Sequence, residues 1–89
     1  APPAYGGNPA PSYPAAARRR GQQGQVVVRA EVAPDGRAAR VEVMRSSGYA
    51  ALDDAALASV REWRFAPAEV DGVPSAGAIE VPITFKLVD

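Results

Sequence analysis

The side chains that could do chemistry are hydroxyls and carboxylates in the middle of the chain. Ser46 and Ser47 could act as nucleophiles, and a few residues later two adjacent carboxylates, Asp53 and Asp54, could act as acids or bases. A serine nucleophile needs a general base, and the sequence contains no histidine. Neighbouring residues of a helix point about 100° apart, so the two aspartates do not converge on one site. The sequence therefore predicts a protein that is not an enzyme.

The composition argues against several kinds of ligand. The chain has no cysteine and no histidine, and its carboxylates show no spacing typical of a metal site, so we expect no metal and no cofactor. Ten basic and ten acidic residues cancel, which argues against nucleic acid as a partner. No apolar run approaches the roughly 20 residues that cross a membrane.

The last predicted strand, from about Ala78 to Val88, contains a proline. Because proline cannot donate to a strand ladder, it belongs on a sheet edge with its nitrogen facing away from the neighbouring strand. Backbone groups alternate sides along a strand, so every second residue shares this free edge. The residues predicted on it are Glu80, Pro82, Thr84, Lys86 and Val88. Such an edge is either blunted against aggregation or used for docking, and the residues leave both interpretations open.

The remaining elements predict an α+β domain in which a three-stranded antiparallel sheet carries two helices on one face. The order is helix, strand, strand, helix, strand (α-β-β-α-β). A short helix begins with Pro14 as its first residue and ends at Gly21, and a dipole contact for its arginines is favoured over an anion-binding patch. The hairpin turns at 34–36, and the second helix begins at 50–52 and ends near Arg64. The third strand is expected beside the first strand or at an outer edge.

Apolar periodicity predicts the core and the domain boundary. Residues 1–12 are rich in proline and glycine and are expected to form a flexible linker, which leaves 13–89 as the folded domain. Strand alternation and one helical stripe then select the inward-facing side chains. The predicted core residues are Val28, Val32, Val41, Val43, Leu52, Ala56, Val60, Trp63, Ile83 and Phe85.

Several short motifs, taken in order and spacing, closely resemble the C-terminal domain of the TonB family. The resemblance covers about residues 8 to 88. The motifs are Asn8–Pro9 and Pro11 before Tyr13–Pro14, Arg18–Arg19 with Gly21, Gly24–Gln25–Val26, Pro34–Asp35–Gly36, Ser46–Ser47–Gly48, Leu52–Asp53 with Ala55–Ala56, Trp63–Arg64–Phe65 with Pro67, and Val81–Pro82–Ile83 with Phe85.

This resemblance implies a mechanical role in transport. TonB-like proteins carry energy from the inner membrane of Gram-negative bacteria to outer-membrane transporters. An extended transporter segment, the Ton box, would add as a strand beside the last strand. An ExbB–ExbD-type motor would act through a missing N-terminal segment. The chain would then be the periplasmic, C-terminal part of a protein anchored in the inner membrane.

The resemblance also implies a second contact and leaves alternatives. The segment before the tyrosine–proline pair contacts transporters in the family, so Asn8, Pro9, Pro11 and Tyr13 are candidates, although Ala10 stands where some members have glutamine. The ring of Tyr13 could equally staple the first helix. A Tol-like bridging protein or another envelope scaffold with this fold would have a different client. A homodimer formed by exchange of the last strands is expected as a minor form.

Overall fold

The computed structural model of the chain describes residues 5–87. Its elements are α1 (Ala15–Arg19), β1 (Gly24–Val32), β2 (Ala38–Arg45), α2 (Ala50–Glu62), β3 (Ala68–Val70), β4 (Val73–Ser75) and β5 (Gly77–Phe85). Strands β2, β1 and β5 lie side by side in that order, and both pairings are antiparallel. The predicted α+β class, with a three-stranded antiparallel sheet and two helices, is confirmed. The last strand lies beside β1.

One face of the sheet is buried beneath the helices. Helix α2 packs on β1 and β2, and Ala17 of α1 joins the same core. Alternation puts every second residue of β1 on this face. Most residues predicted for the core lie in it: Val28, Val32, Leu52, Ala56, Val60, Trp63, Ile83 and Phe85. The core also includes Ala17, Val26, Ala30, Phe65 and Val81.

Two residues predicted for the core, Val41 and Val43, are only partly buried. They lie on β2, which is an edge strand and is irregular. Its register against β1 shifts twice, and each shift leaves one β2 residue, Ala39 or Met44, without a partner. Such bulges bend a strand and increase its twist. The prediction assumed a regular strand that buries one whole face.

The connection between α2 and the last strand contains a hairpin that the sequence analysis missed. A turn-rich connection was predicted at 70–77, but β3 pairs with β4 across a tight turn. Asp71 and Gly72 both have positive φ, 52° and 79°. That combination is typical of the type I′ turn, whose twist matches the flanking strands. The Asp-Gly pair between two valines was therefore a hairpin signal.

Helix α2 ends at Glu62, two residues before the predicted end. Trp63 already has extended backbone, with φ −70° and ψ 152°. The next two residues pair with the β1–β2 turn: Arg64 forms a bridge with Arg37, and the Phe65 N–H donates to the Gly36 carbonyl at 2.8 Å. This pairing competes with helical hydrogen bonds and holds the chain extended after Trp63.

Gly36 makes this pairing sterically possible. It is buried and has a φ of 86°. A Cβ atom at this position would lie 2.4 Å from the Phe65 carbonyl oxygen, closer than any real side chain approaches. Only glycine therefore allows the turn and the segment after α2 to lie this close.

We expect Gly36→Ala to destabilise the domain more than Gly72→Ala does. Both glycines have positive φ, but a Cβ at Gly72 would meet no atom within 4 Å. Both variants carry a backbone cost of about 1 kcal/mol, and the clash at Gly36 adds on the order of 1–3 kcal/mol. Urea unfolding of the two variants measures the difference. Equal losses of unfolding free energy would show that the turn and Phe65 do not pack this closely.

A hydrogen-bond network joins the end of β2 to α2. The Asp53 carboxylate accepts bonds from the hydroxyl of Ser46, the backbone N–H of Ser47 at 2.9 Å and the Ser47 hydroxyl at 2.8 Å. Burial alone would raise the pKa of Asp53, but the donated bonds from Ser46 and Ser47 lower it below the ordinary value of 3.8. Ser46, Ser47 and Asp53 thus connect the end of β2 to the first turn of α2.

This network predicts an acid-dependent stability difference. Because the folded-state pKa of Asp53 is below its unfolded value, its contribution to stability is present above the unfolded pKa and lost as the pH falls through the folded pKa. Asp53→Asn should therefore lower the free energy of unfolding at neutral pH, and this deficit should shrink between about pH 5 and pH 2. Denaturant unfolding across that range measures it.

The exposed neighbour Asp54 provides the control for this prediction. Asp54→Asn lies on the same helical turn, so it reports the contribution of negative charge near the α2 N-terminus without the serine bonds. A pH-independent deficit for Asp53→Asn would show that the network contributes through its shape and not through the ionised carboxylate.

Candidate functional site

Strand β5 forms one edge of the sheet, with its inner side paired to β1. From Gly24 opposite Phe85 to Val32 opposite Gly77, each residue of β1 faces one residue of β5 with no shift of register. The side chains alternate, so Val81, Ile83 and Phe85 are buried while their neighbours are exposed. The outer side of β5 therefore offers a regular backbone edge.

The proline of β5 indicates which backbone groups point outward. Pro82 lies opposite Val27. Because proline cannot donate, this pair is expected to be a non-hydrogen-bonded one, in which the backbone groups point away from the partner strand. Two residues on either side repeat that orientation, so the N–H groups of Glu80 and Thr84 are expected at the free edge.

The five residues predicted for the edge fall into three groups. Glu80, Pro82 and Thr84 lie on β5 with exposed side chains. Lys86 follows the end of the strand, because β5 ends at Phe85. Val88 lies outside the described residues. The prediction extended the strand too far along the chain; beyond Phe85, the Leu87 N–H donates to the side-chain oxygen of Gln23 at 2.9 Å.

The two edges of the sheet differ in their suitability for strand pairing. Strand β2 forms the edge of the sheet opposite β5, and it has two bulged positions, Ala39 and Met44. Bulges disrupt the regular spacing of donors and acceptors and are a common protection of sheet edges. Strand β5 has a regular register, and only Pro82 interrupts its row of donors. An added strand therefore fits β5 better than β2.

The segment before α1 is fastened to the domain by Asn8. Its side-chain amide donates to the Arg64 carbonyl at 2.8 Å, and its side-chain oxygen accepts the Arg64 N–H at 2.9 Å. The same amide donates to the Tyr5 carbonyl at 2.7 Å. Asn8 thus pairs with Arg64 as a neighbouring strand would, and it fixes residues that were predicted to form a flexible linker.

Tyr5 adds an aromatic contact that the sequence analysis did not assign. Its ring stacks on Trp63, with centroids 5.9 Å apart and planes 16° apart. Trp63 also contacts the Phe65 ring, at 6.4 Å. The boundary predicted between a linker, 1–12, and a domain, 13–89, stays a prediction, since residues 1–4 lie outside the described part. Within the described part, Tyr5 and Asn8 both contact the domain.

These contacts create a groove along the free edge of β5. One wall is the N-terminal segment, residues 82–84 of β5 form the other wall, and Trp63 also lines the groove. The groove has a volume of about 340 Å³. The buried Nε1 of Trp63 has no hydrogen-bond acceptor among the described residues. The edge and the segment before α1 therefore form one continuous surface.

The four residues predicted for a second contact lie around this surface. Asn8 and Pro11 line the groove, and Pro9 lines a neighbouring depression against α2. Tyr13 is half-buried and is held by its own contacts: its hydroxyl donates to the Gln22 carbonyl, and its ring packs edge-to-face against Phe85 at 5.4 Å. These contacts hold Tyr13 against Gln22, which follows α1, and against β5, while its contact with a partner stays a prediction.

The groove beside β5 is lined by uncharged side chains and lies next to the backbone edge of the strand. Within residues 5–87, no cluster of histidine, cysteine and acidic residues could hold a metal ion. Within the same range, no helix has the length and apolar character needed to cross a membrane. Ser46, Ser47 and Asp53 are engaged with one another at the α2 N-terminus. What the surface offers chemically is a row of backbone donors and acceptors beside an uncharged groove.

Comparisons with known proteins identify the family. The model described as Gram-negative bacterial TonB protein C-terminal matches residues 9–87. The chain is 46% identical over 80 residues to Protein tonB2 of Pseudomonas aeruginosa, covering 90% of this chain and 30% of that protein. It is 42% identical over 77 residues to Protein TonB of Vibrio cholerae, covering 86% and 32%. The chain thus spans about a third of the length of these relatives.

A solved structure agrees with the sequence relatives. The solution NMR structure of the Pseudomonas aeruginosa TonB CTD matches with a TM-score of 0.80 and 26% sequence identity. The match covers 98% of this chain and 88% of that chain. The sequence matches and the fold match agree with one another. The chain belongs to the family of C-terminal domains of Gram-negative bacterial TonB proteins.

Proposed function

We propose that this chain is the periplasmic domain of a TonB-like energy transducer that captures the Ton box of outer-membrane transporters. The observation that supports capture is the free, regular edge of β5, where the N–H groups of Glu80 and Thr84 are expected to point outward. An extended peptide can pair there with main-chain hydrogen bonds, which is β-augmentation.

The expected affinity of such pairing is low. About four to six net hydrogen bonds at 0.5–1.5 kcal/mol each contribute roughly 2–9 kcal/mol. Association costs on the order of 4–15 kcal/mol in lost freedom. Strand pairing alone therefore gives a transient contact. Side-chain contacts, or a tether that raises the local concentration of the partner, supply the remaining affinity.

Residues before α1 supply a second contact in this proposal. Pro9 and Ala10 are exposed, and Asn8 holds the segment in place through the Arg64 backbone. The segment borders the β5 groove, so a strand bound at the edge would pass beside it. Asn8, Pro9, Pro11 and Tyr13 would then select partners, while the β5 backbone holds them.

Energy transfer in this proposal comes from the rest of the protein. The relatives are about three times as long as this chain. The remaining length would supply the inner-membrane anchor and the contact with an ExbB–ExbD-type motor. A pull that reaches the domain from its N-terminal side would pass to the captured Ton box and loosen the transporter plug, which allows active uptake.

We expect Thr84→Pro to weaken binding of Ton-box peptides. The ring would remove one outward donor and add bulk at the edge, which costs at least about 1 kcal/mol, or about fivefold in Kd. Thr84→Ala keeps the backbone N–H and is the matched control, so its Kd should stay close to that of the original domain. An NMR titration that follows amides 77–87 measures both.

The pattern of shifts decides the proposal. Perturbation concentrated on β5, and especially at Glu80 and Thr84, would support strand addition. Perturbation concentrated on β2, or equal binding by Thr84→Pro and Thr84→Ala, would contradict it. No binding by any Ton-box peptide at millimolar concentration would favour a Tol-like or scaffold role. Sedimentation in parallel tests for the strand-exchanged homodimer, which would occupy the same edge.

A cellular experiment tests energy transfer separately from capture. The domain would replace the matching part of Pseudomonas aeruginosa tonB2, and the resulting protein would be expressed in cells without their own TonB. We expect this protein to restore uptake of iron–siderophore complexes. The Thr84→Pro version should reduce uptake at equal protein level, and the Thr84→Ala version should not. Normal peptide binding without restored uptake would contradict the transducer role.

A further inference from the structure

The groove beside β5 lies on a definite face of the sheet. Ile83 points to the helix-covered face together with Val81 and Phe85, and all three are buried. Trp63, which lies just after α2, lines the groove together with Ile83. The flanking residues Pro82 and Thr84 also line it, and their side chains are on the opposite face. The groove therefore extends around the free edge of β5 toward the helices.

Cross-strand geometry places one side chain of an added strand in this groove. Residues directly opposite each other in paired strands project to the same face, with Cβ atoms about 4.5–5.5 Å apart. The partner residue opposite Ile83 therefore projects toward the helices, into the groove between β5 and the N-terminal segment. Its two neighbours project to the exposed face, beside Pro82 and Thr84.

We propose that the groove between residues 5–11 and β5 is a specificity pocket that accepts one uncharged, apolar side chain of the captured strand, at the position opposite Ile83. This inference rests on the proposed function, because it assigns a side chain to a strand bound at β5. Main-chain bonds alone do not select among partner sequences. The pocket adds a requirement for an apolar residue at one position of the bound strand.

The lining of the groove supports an apolar occupant. Its lining side chains include aromatic, aliphatic and amide groups, and none in the described part of the chain is charged. A lysine or aspartate that entered it would lose hydration without gaining an opposite charge. The volume of about 340 Å³ accommodates a branched aliphatic or an aromatic side chain.

The wall formed by the N-terminal segment is held in place before a partner binds. Asn8 holds the segment through both backbone groups of Arg64, at 2.8 and 2.9 Å. Tyr5, which belongs to the same segment, stacks on the Trp63 ring at 5.9 Å and attaches this wall to the residue after α2. A preorganised wall reduces the ordering cost of binding, so discrimination among side chains depends on Asn8 staying in place.

The test uses peptides of seven residues that carry threonine at every position except the centre. The central residue is leucine, alanine or lysine, so only one side chain differs. We expect the leucine peptide to bind at least about fivefold tighter than the alanine peptide, because it buries additional apolar surface. The lysine peptide should bind more weakly still. Nuclear Overhauser contacts should connect the leucine methyl groups to Trp63, the only tryptophan of the chain.

Variants of the N-terminal segment separate the pocket from the edge. Asn8→Ala should leave the β5 amide shifts intact and reduce the preference for leucine over alanine to less than about twofold, because the wall is no longer fixed. Ser12→Ala is the control in the same segment, since Ser12 is exposed and does not line the groove. It should keep the full preference.

The outcomes distinguish this inference from the function on which it rests. Shifts on β5 with equal affinity for all three peptides, and no contacts to Trp63, would overturn the pocket and leave strand capture standing. A preference for leucine that survives Asn8→Ala would also overturn the assignment of the N-terminal segment as one wall of the pocket. Absence of β5 shifts with every peptide, Ton-box peptides included, would overturn strand capture and the pocket with it.

Discussion

The pairing of β5 with β1 is the interaction on which the rest of the structure depends. It joins two segments far apart in the sequence, Gly24–Val32 and Gly77–Phe85, in an unbroken antiparallel register. It buries Val81, Ile83 and Phe85 against the helices and leaves the outer side of the same strand free. A strand cannot expose a useful edge unless its other side is firmly held. The regular pairing with β1 supplies that support.

A second constraint lies where the chain leaves α2. The Phe65 N–H bonds to Gly36, and Asn8 pairs with the backbone of Arg64. The N-terminal segment, the β1–β2 turn and the residues after α2 therefore meet at Arg64 and Phe65. This junction lies directly after Trp63 and holds the N-terminal segment, and both line the groove beside β5. The geometry of the groove thus depends on backbone pairing outside the main sheet.

Local patterns in the sequence predicted most of the fold. Alternating apolar residues indicated β1 and β5, and one proline, Pro82, placed β5 at an edge. Apolar alternation continues to Leu87, so the predicted strand ran past Phe85, although Leu87 bonds to Gln23 instead of extending the strand. The β3–β4 hairpin was not predicted because each of its strands has only three residues.

The N-terminal part of the candidate site was the least predictable. Asn8 and Arg64 are 56 positions apart, and neither lies in a pattern that periodicity detects. A segment rich in proline and glycine has the composition of a linker whether or not one asparagine attaches it to the domain. Trp63 was expected in the core from its position on the helical wheel. Its stacking with Tyr5 needed the folded geometry, because residue 5 belongs to no helix or strand.

Selectivity at such a site must come from outside the strand edge. Main-chain bonds are the same for every sequence without proline, so β5 alone would accept many extended segments. Pro82 reduces the number of donors further, which weakens all partners equally. Discrimination at such a site therefore requires side chains beside the edge. The N-terminal segment, which Asn8 attaches to the domain, lines the groove beside β5. Weak, general pairing combined with one selective contact allows rapid release while still excluding unsuitable strands.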